Sequence, residues 1–252
     1  MPIVVGPGIT VGPGITISLL NYVTSNLVMA LDATNSASYP GTGSTWTDLS
    51  GNGNNGTLIN SPTFNSANGG YLTFDSGLTQ YVDCGTSSTL NLTSGFSVSF
   101  WMNNAISGTT YEYYVARWRY SPFGSADFRQ WAFDNDATAN QIRFRVSSDG
   151  TDSGAASIVS TSASYSTGWH NITGTWDVSN MRLYVDGVLV GGPTAKTSMI
   201  STAGQGTFVG GGDQGSSFTL SGSMSQVLIY NRALTATEVS QNFNAGRDRY
   251  GI

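Results

Sequence analysis

The stretch Leu183-Tyr184-Val185-Asp186-Gly187-Val188-Leu189-Val190 decides the fold class of this chain. Asp186-Gly187 is a strong signal for a two-residue hairpin turn, and β-forming side chains flank it on both sides. Working outward, residues 96–102 alternate strictly, so that every second side chain is large and apolar. A hairpin and a one-sided apolar strand are typical of antiparallel sheets that pack face to face. We therefore predict an all-β sandwich.

Further short β-rich segments lie on both sides of this hairpin. The residue pattern places them at 27–33, 71–75, 80–83, 112–118, 129–133, 142–146, 157–161, 169–176, 206–209 and 223–230. One helix is predicted at 236–245, because Thr235 and Glu238 form a capping box and Gly246 suits a C-terminal cap.

Three motifs in the C-terminal half resemble those of a known family. They are the strand start Trp169-His170, the hairpin Tyr184-Val185-Asp186-Gly187 and the closing segment Tyr230-Asn231-Arg232-Ala233-Leu234. In this order they resemble the laminin-G-like, or concanavalin A-like, jelly roll. The resemblance implies a jelly-roll β-sandwich over residues 27–252 with one short C-terminal helix. Residues 231–252 are also similar to the ending of laminin-G-like proteins found in the virions of tailed phages.

Residues 1–26 are predicted to form an extended N-terminal arm. The arm contains an exact six-residue repeat, Val5-Gly6-Pro7-Gly8-Ile9-Thr10 followed by Val11-Gly12-Pro13-Gly14-Ile15-Thr16. So short a segment cannot bury its own apolar side chains, and it needs either its own sandwich or a neighbouring subunit to lie on. The two prolines disfavour a central strand and favour the neighbouring subunit. The residues expected to make assembly contacts are Val5, Pro7, Ile9, Val11, Pro13 and Ile15.

The composition excludes several classes of partner. The 252 residues carry a net charge of −5, and such an acidic chain lacks the basic face that nucleic acid requires. No apolar stretch approaches the roughly 20 residues of a membrane helix. The single cysteine, Cys84, cannot form an intrachain disulfide, and the N-terminus does not resemble a signal peptide. We expect a protein that assembles in a cytoplasm.

The acidic residues argue against catalysis. The resemblance includes glucanases that carry two glutamates and an aspartate on one strand, for acid and nucleophile roles. This chain has only Glu112 and Glu238, and the second is assigned to the helix cap. Asp134 and Asp136 are predicted to lie in a turn, and His170 is the only histidine, without a nucleophile motif beside it. We expect no enzymatic activity.

An aromatic-rich segment, residues 111–131, is the best candidate for a ligand surface. Sugars stack on aromatic rings while charged and amide side chains bond to their hydroxyls. Alternate aromatics in a strand are usually core residues, but a Pro/Gly loop is predicted after residue 118. The candidate ligand-binding residues are Trp118, Tyr120, Phe123, Arg117 and Arg119.

Calcium is the one cofactor that the sequence leaves open, and no other is implied. It prefers hard oxygen ligands from loops, and relatives of this type bind it at a sandwich edge. Asp213, beside three glycines, and Asp32 are the candidate ligands, although acids at strand ends are also ordinary turn residues.

Together with these patterns, the resemblance implies a non-enzymatic virion structural protein of a tailed phage, of decoration or fibre type. Its lectin-like sandwich would adhere to host-surface glycans, and its arm would contact other virion subunits in a homo-oligomer. The alternative is a glycan-binding module of a cell-surface or extracellular filament protein.

Overall fold

The computed structural model describes residues 21–103, 111–119, 128–136, 141–151, 156–161, 167–202, 204–212 and 218–252. These residues form two antiparallel sheets that pack face to face, with one α-helix near the C-terminus. The predicted all-β jelly-roll sandwich is confirmed. No helix within the described ranges is long and apolar enough to cross a membrane.

Sixteen strands are described. They are β1 (Leu27–Asp32), β2 (Thr45–Trp46), β3 (Gly56–Ile59), β4 (Thr63–Asn65), β5 (Tyr71–Phe74), β6 (Tyr81–Asp83), β7 (Phe96–Asn103), β8 (Tyr113–Arg119), β9 (Phe128–Asp136), β10 (Gln141–Ser147), β11 (Ala156–Ser160), β12 (Trp169–Trp176), β13 (Asn180–Val185), β14 (Val188–Ala195), β15 (Phe208–Val209) and β16 (Gly222–Tyr230). The first sheet has the order β14-β13-β12-β7-β16-β5-β4, and β1 also pairs with β16. The second has the order β11-β10-β9-β8-β15-β6-β3-β2.

The core between the sheets is rich in aromatic side chains. Phe133 and Phe144 stack in parallel with ring centroids 4.6 Å apart, and both are fully buried. Gly174 on β12 faces them from the opposite sheet, where a Cβ atom would lie 2.4 Å from the Phe133 ring. A glycine is therefore required at this point for the two sheets to approach each other.

The helix, α1 (Ala236–Gly246), covers the outer face of the first sheet. The predicted capping box is present, since Glu238 N–H donates to Thr235 Oγ1 and the Glu238 carboxylate accepts from Thr235 N–H. Gly246, however, is the last helical residue rather than a left-handed cap, and Arg247 follows as the cap. A Cβ atom on Gly246 would lie 2.5 Å from Trp101 Nε1, so the glycine allows the helix to lie against that indole.

The chain enters the sandwich beside this helix. Val23 is buried, and its N–H donates to Asn242 Oδ1 at 2.8 Å. Tyr230 Oη donates to the Val23 carbonyl, and Asn242 Nδ2 donates to Tyr230 Oη at 3.1 Å. The end of the predicted arm thus packs on the sandwich, whereas its repeat lies outside the described residues.

Candidate functional site

Trp118 is buried, so the prediction that it offers an exposed stacking face is wrong. Its exposed fraction is 1%, and it lies in a hydrophobic cluster with Tyr113, Ala116 and Ala132, separate from the main core. The Arg145 guanidinium lies 4.4 Å from the ring centroid. The physical reason is that β8 continues to Arg119, so Trp118 lies within the paired strand and not at the loop.

Arg117 is also a structural residue. It is fully buried, its Nε donates to Thr202 Oγ1, one terminal nitrogen donates to the Thr202 carbonyl at 2.9 Å, and the other donates to Thr207 Oγ1. Burial lowers the pKa of Arg117 to about 10. Its donors join the strand to a neighbouring loop and do not reach a ligand surface, which corrects the prediction. Tyr120 and Phe123 lie outside the described residues.

Arg119 lies at the rim of an open cleft of about 270 Å³ on the second sheet. The cleft is also lined by Tyr81 and Asp83 on β6, Phe208 on β15 and the loop residue Gln205. β15 pairs with both β6 and β8, and this pairing brings the residues together from distant parts of the sequence. We call this site the Arg119 cleft.

The Arg119 cleft combines an aromatic wall with polar groups. The Tyr81 and Phe208 rings meet edge to face, with centroids 6.0 Å apart. Phe208 is buried, whereas Tyr81, Asp83 and Arg119 are half-buried and reach the cleft. A Cβ atom at Gly206 would lie 2.6 Å from the Phe208 ring, so this glycine makes room for the wall.

Each polar group of the cleft has a defined hydrogen-bonding role. Burial, and secondarily the charge of Asp83, raise the pKa of Tyr81, so its hydroxyl remains a donor at neutral pH. Asp83 accepts hydrogen bonds, Arg119 donates them, and the Gln205 amide does both. An aromatic face beside such groups can hold a ring that is apolar on its face and hydroxylated at its edge.

Sequence reasoning found only Arg119 among these residues. The segment 80–83 was recognised as a strand, and its alternation places Tyr81 and Asp83 on the face opposite Val82, which is buried. That alternation was the available signal. The sequence does not show that β6, β15 and β8 are neighbours, because these strands are far apart in the chain.

Of the two predicted calcium ligands, only Asp32 lies within the described residues. Asp32 Oδ1 accepts from Thr34 N–H and Thr34 Oγ1, and its Oδ2 accepts from Gln226 Nε2. These bonds hold the end of β1 beside a polar cleft of about 560 Å³ that Tyr22 and Arg249 also line. Within the described ranges, no group of three or more acidic, histidine or cysteine side chains could hold a metal. Asp213 lies outside those ranges.

Asp134 lies in a strand and not in the predicted turn. β9 extends to Asp136, and Asp134 pairs across to Arg143 on β10. Its fully buried carboxylate accepts from Arg143 Nε at 2.6 Å, from Arg145 at 3.0 Å and from Tyr111 Oη at 2.8 Å. Each carboxylate oxygen is engaged by at least one donor from the protein, as a structural ion network requires.

The remaining acid–base groups also have structural partners. His170 Nδ1 lies 2.7 Å from Asp186 Oδ2, and Asn171 N–H donates to Asp186 Oδ1. This pairing ties β12 to the Asp186-Gly187 turn. Glu112 is buried and accepts from Ser221 N–H at 3.2 Å, while Glu238 belongs to the helix cap.

Comparison with solved structures shows the same architecture in several other proteins. The binding domain of Paraclostridial Mosquitocidal Protein 1 aligns with a TM-score of 0.63 at 17% identity, over 88% of this chain and 52% of that one. Trypanosoma rangeli sialidase in complex with sialic acid aligns with a TM-score of 0.66 at 17% identity, over 95% of this chain and 35% of that one. The binding domain of botulinum neurotoxin DC in complex with SialylT aligns with a TM-score of 0.63 at 14% identity, over 88% of this chain and 52% of that one.

This chain therefore spans about half, or about a third, of the length of these structural neighbours, and the likeness concerns the fold. A search of curated proteins by sequence finds no match. The family described as the concanavalin A-like lectin/glucanases superfamily matches residues 75–240, about two thirds of the chain. This range contains the Trp-His strand, the Asp-Gly hairpin and the whole lining of the Arg119 cleft. The chain belongs to the concanavalin A-like lectin/glucanase superfamily.

Proposed function

We propose that this protein is a non-enzymatic glycan-binding subunit that holds its ligand in the Arg119 cleft. The observation that carries the proposal is that half-buried Tyr81, Asp83 and Arg119 line one cleft, in which the Tyr81 ring meets the buried Phe208 edge to face. A pyranose ring stacked on Tyr81 would place its hydroxyls toward an acceptor and a donor. Asp134, His170 and Glu238 each bind to structural partners within the fold, which supports the proposal that the protein is not an enzyme.

The glycan class we favour is acidic. Arg119 is the only cation lining the described cleft, and a guanidinium binds carboxylates with two parallel hydrogen bonds. Two structural neighbours are complexes with sialic acid and with SialylT. Asp83 would then face sugar hydroxyls on the other side of the ring.

For the biological setting we propose a tailed-phage virion, as a decoration or fibre protein. The support is the similarity of residues 231–252 to the endings of laminin-G-like virion proteins. The protein would assemble in the host cytoplasm, contact other virion subunits through its arm and form a homo-oligomer. The alternative remains a glycan-binding module of a cell-surface or extracellular filament protein.

A glycan array followed by calorimetry on the best ligand tests the proposed site. Tyr81→Ala removes the stacking face, which we take as worth about 1–3 kcal/mol by analogy with stacked bases, so affinity should fall roughly 5- to 150-fold. Arg119→Ala should weaken acidic glycans more than neutral ones. Arg182→Ala is the matched control, because this half-buried arginine lies on the first sheet and pairs with Asp177. No array signal, or an equal loss with Arg182→Ala, would exclude the Arg119 cleft as the binding site.

A further inference from the structure

The N-terminal repeat has the alternation of a one-sided strand. From residue 5 to residue 17, the odd positions are apolar and the even positions are glycine or threonine. The odd set is Val5, Pro7, Ile9, Val11, Pro13, Ile15 and Ile17, and the even set is Gly6, Gly8, Thr10, Gly12, Gly14 and Thr16. In an extended strand this pattern places all apolar side chains on one face.

The same parity separates the two hydrogen-bonding edges of such a strand. The N–H and C=O of one residue point to one edge, and those of the next residue point to the other. Both prolines lie at odd positions, so the missing N–H groups fall on a single edge. The opposite edge, formed by Gly and Thr, keeps every donor. Residues 5–17 can therefore join a sheet as an outer strand, with their proline edge toward solvent.

The sandwich has an open edge of matching chemistry. β14 is the terminal strand of the first sheet, and among the described strands it pairs only with β13. Val188 opposes Val185, which is in the core, so the two side chains share the core-facing side of the sheet. Val188 is nevertheless 63% exposed, because no described strand lies beyond it.

Only the first part of the β14 edge is open to regular strand pairing. Further along β14, Gly191 lies close to β11 of the second sheet, where a Cβ atom would be 2.7 Å from the Ser160 carbonyl oxygen. The two sheets thus meet at Gly191, whereas Val188 remains exposed at the core-facing side. Pro193 has no backbone N–H, which limits regular pairing to this first part of the strand.

The C-terminal end of the arm is held near this edge. Gln241 Nε2 on α1 donates to the Asn21 carbonyl at 2.9 Å. The same helix borders the hairpin turn before β14, since a Cβ atom at Gly187 would lie 3.3 Å from the Phe243 ring. Thirteen extended residues span about 43 Å at roughly 3.3 Å each, which is enough to leave one molecule and lie along another.

We propose that residues 5–17 of one copy add as an outer strand to the β14 edge of a second copy, with their apolar side chains beside Val188 on the core-facing side of the sheet. Val188 and Val190 extend the core-facing surface that the arm would cover, while the Gly/Thr edge pairs with the β14 backbone. This inference rests on the proposed role of the arm in assembly and not on glycan binding.

A proline scan of the full-length chain tests the pairing. Thr10→Pro removes an N–H from the edge that faces β14, whereas Val11→Pro removes one from the solvent edge and keeps an apolar side chain. Light scattering after size-exclusion chromatography should show that Thr10→Pro abolishes the oligomer, while Val11→Pro retains it. A monomeric wild type, or equal effects of the two substitutions, would overturn the proposal.

A charge on the receptor edge tests the partner surface. Val188→Glu should also abolish the oligomer, because it places a carboxylate next to the apolar side chains of the arm. Leu78→Glu is the control, since Leu78 is similarly exposed, at 59%, in a different part of the fold. An oligomer that survives Val188→Glu, or that is lost equally with Leu78→Glu, contradicts the β14 edge as the receptor. Glycan affinity of the monomeric variants, measured separately, distinguishes this failure from failure of the Arg119 cleft.

Discussion

Replacement of Asp134 by alanine should be among the most damaging single changes on the second sheet. The carboxylate is fully buried and accepts hydrogen bonds from two arginines and one tyrosine. The Arg143 and Arg145 side chains are only 14% and 3% exposed. Asp134→Ala removes a buried charge that pairs with both guanidinium groups, in a place where water reaches them poorly.

The expected loss follows from that burial. Removing one partner of a buried ion pair costs about 3–5 kcal/mol, which is a large part of a typical unfolding free energy of roughly 5–15 kcal/mol. For a domain of this size the melting temperature falls about 2–4 °C per kcal/mol, so a decrease of roughly 6–20 °C is expected. The buried tryptophans provide a fluorescence signal for urea unfolding, and calorimetry gives the melting temperature.

Asp177→Ala is the matched control for this prediction. Asp177 also pairs with an arginine, Arg182, at 2.6 Å, but the two side chains are 33% and 29% exposed. Such a pair is worth no more than about 1 kcal/mol. If Asp134→Ala destabilises the protein by no more than Asp177→Ala does, the reasoning that the buried network holds this face of the sheet together is refuted.

Two further perturbations test the packing and the helix cap. Gly174→Ala should lower the unfolding free energy by about 1–3 kcal/mol in urea titrations, because its Cβ atom would overlap the Phe133 ring; an unchanged midpoint would contradict this packing. Hydrogen bonds from Arg232 lower the pKa of Glu238 from 4.5 to about 2, so its contribution to stability is present above pH 4.5 and is lost as the pH falls toward 2. Melting temperatures across that window should fall less steeply for Glu238→Gln than for the wild type, and parallel curves would argue against the ion pair.

Local chemistry determined the elements that could be predicted from the sequence. Asp186-Gly187 forms the hairpin turn between β13 and β14, and Thr235 with Glu238 forms the capping box of α1. Each depends on residues close together in the chain, so the signal survives without tertiary information. The alternation of 96–102 likewise identified β7 as a core strand.

Two of the errors concern which face of a strand is covered. Trp118 and Arg117 were expected at a ligand surface, and both are buried. Alternation shows that neighbouring side chains point to opposite faces, but it does not show what packs on each face. In β8 both faces are covered, one by the core and the other by residues such as Arg145.

The sequence by itself determined the class of fold, the turn, the helix and the repeat that alternates along the arm. Tertiary structure alone decided the Arg119 cleft, because β6, β8 and β15 become neighbours only when the second sheet forms. It also decided that Asp134 is structural, since its partners come from two other segments of the chain. Pairing between distant strands depends on the packing of the whole sandwich, and no local pattern of residues encodes it.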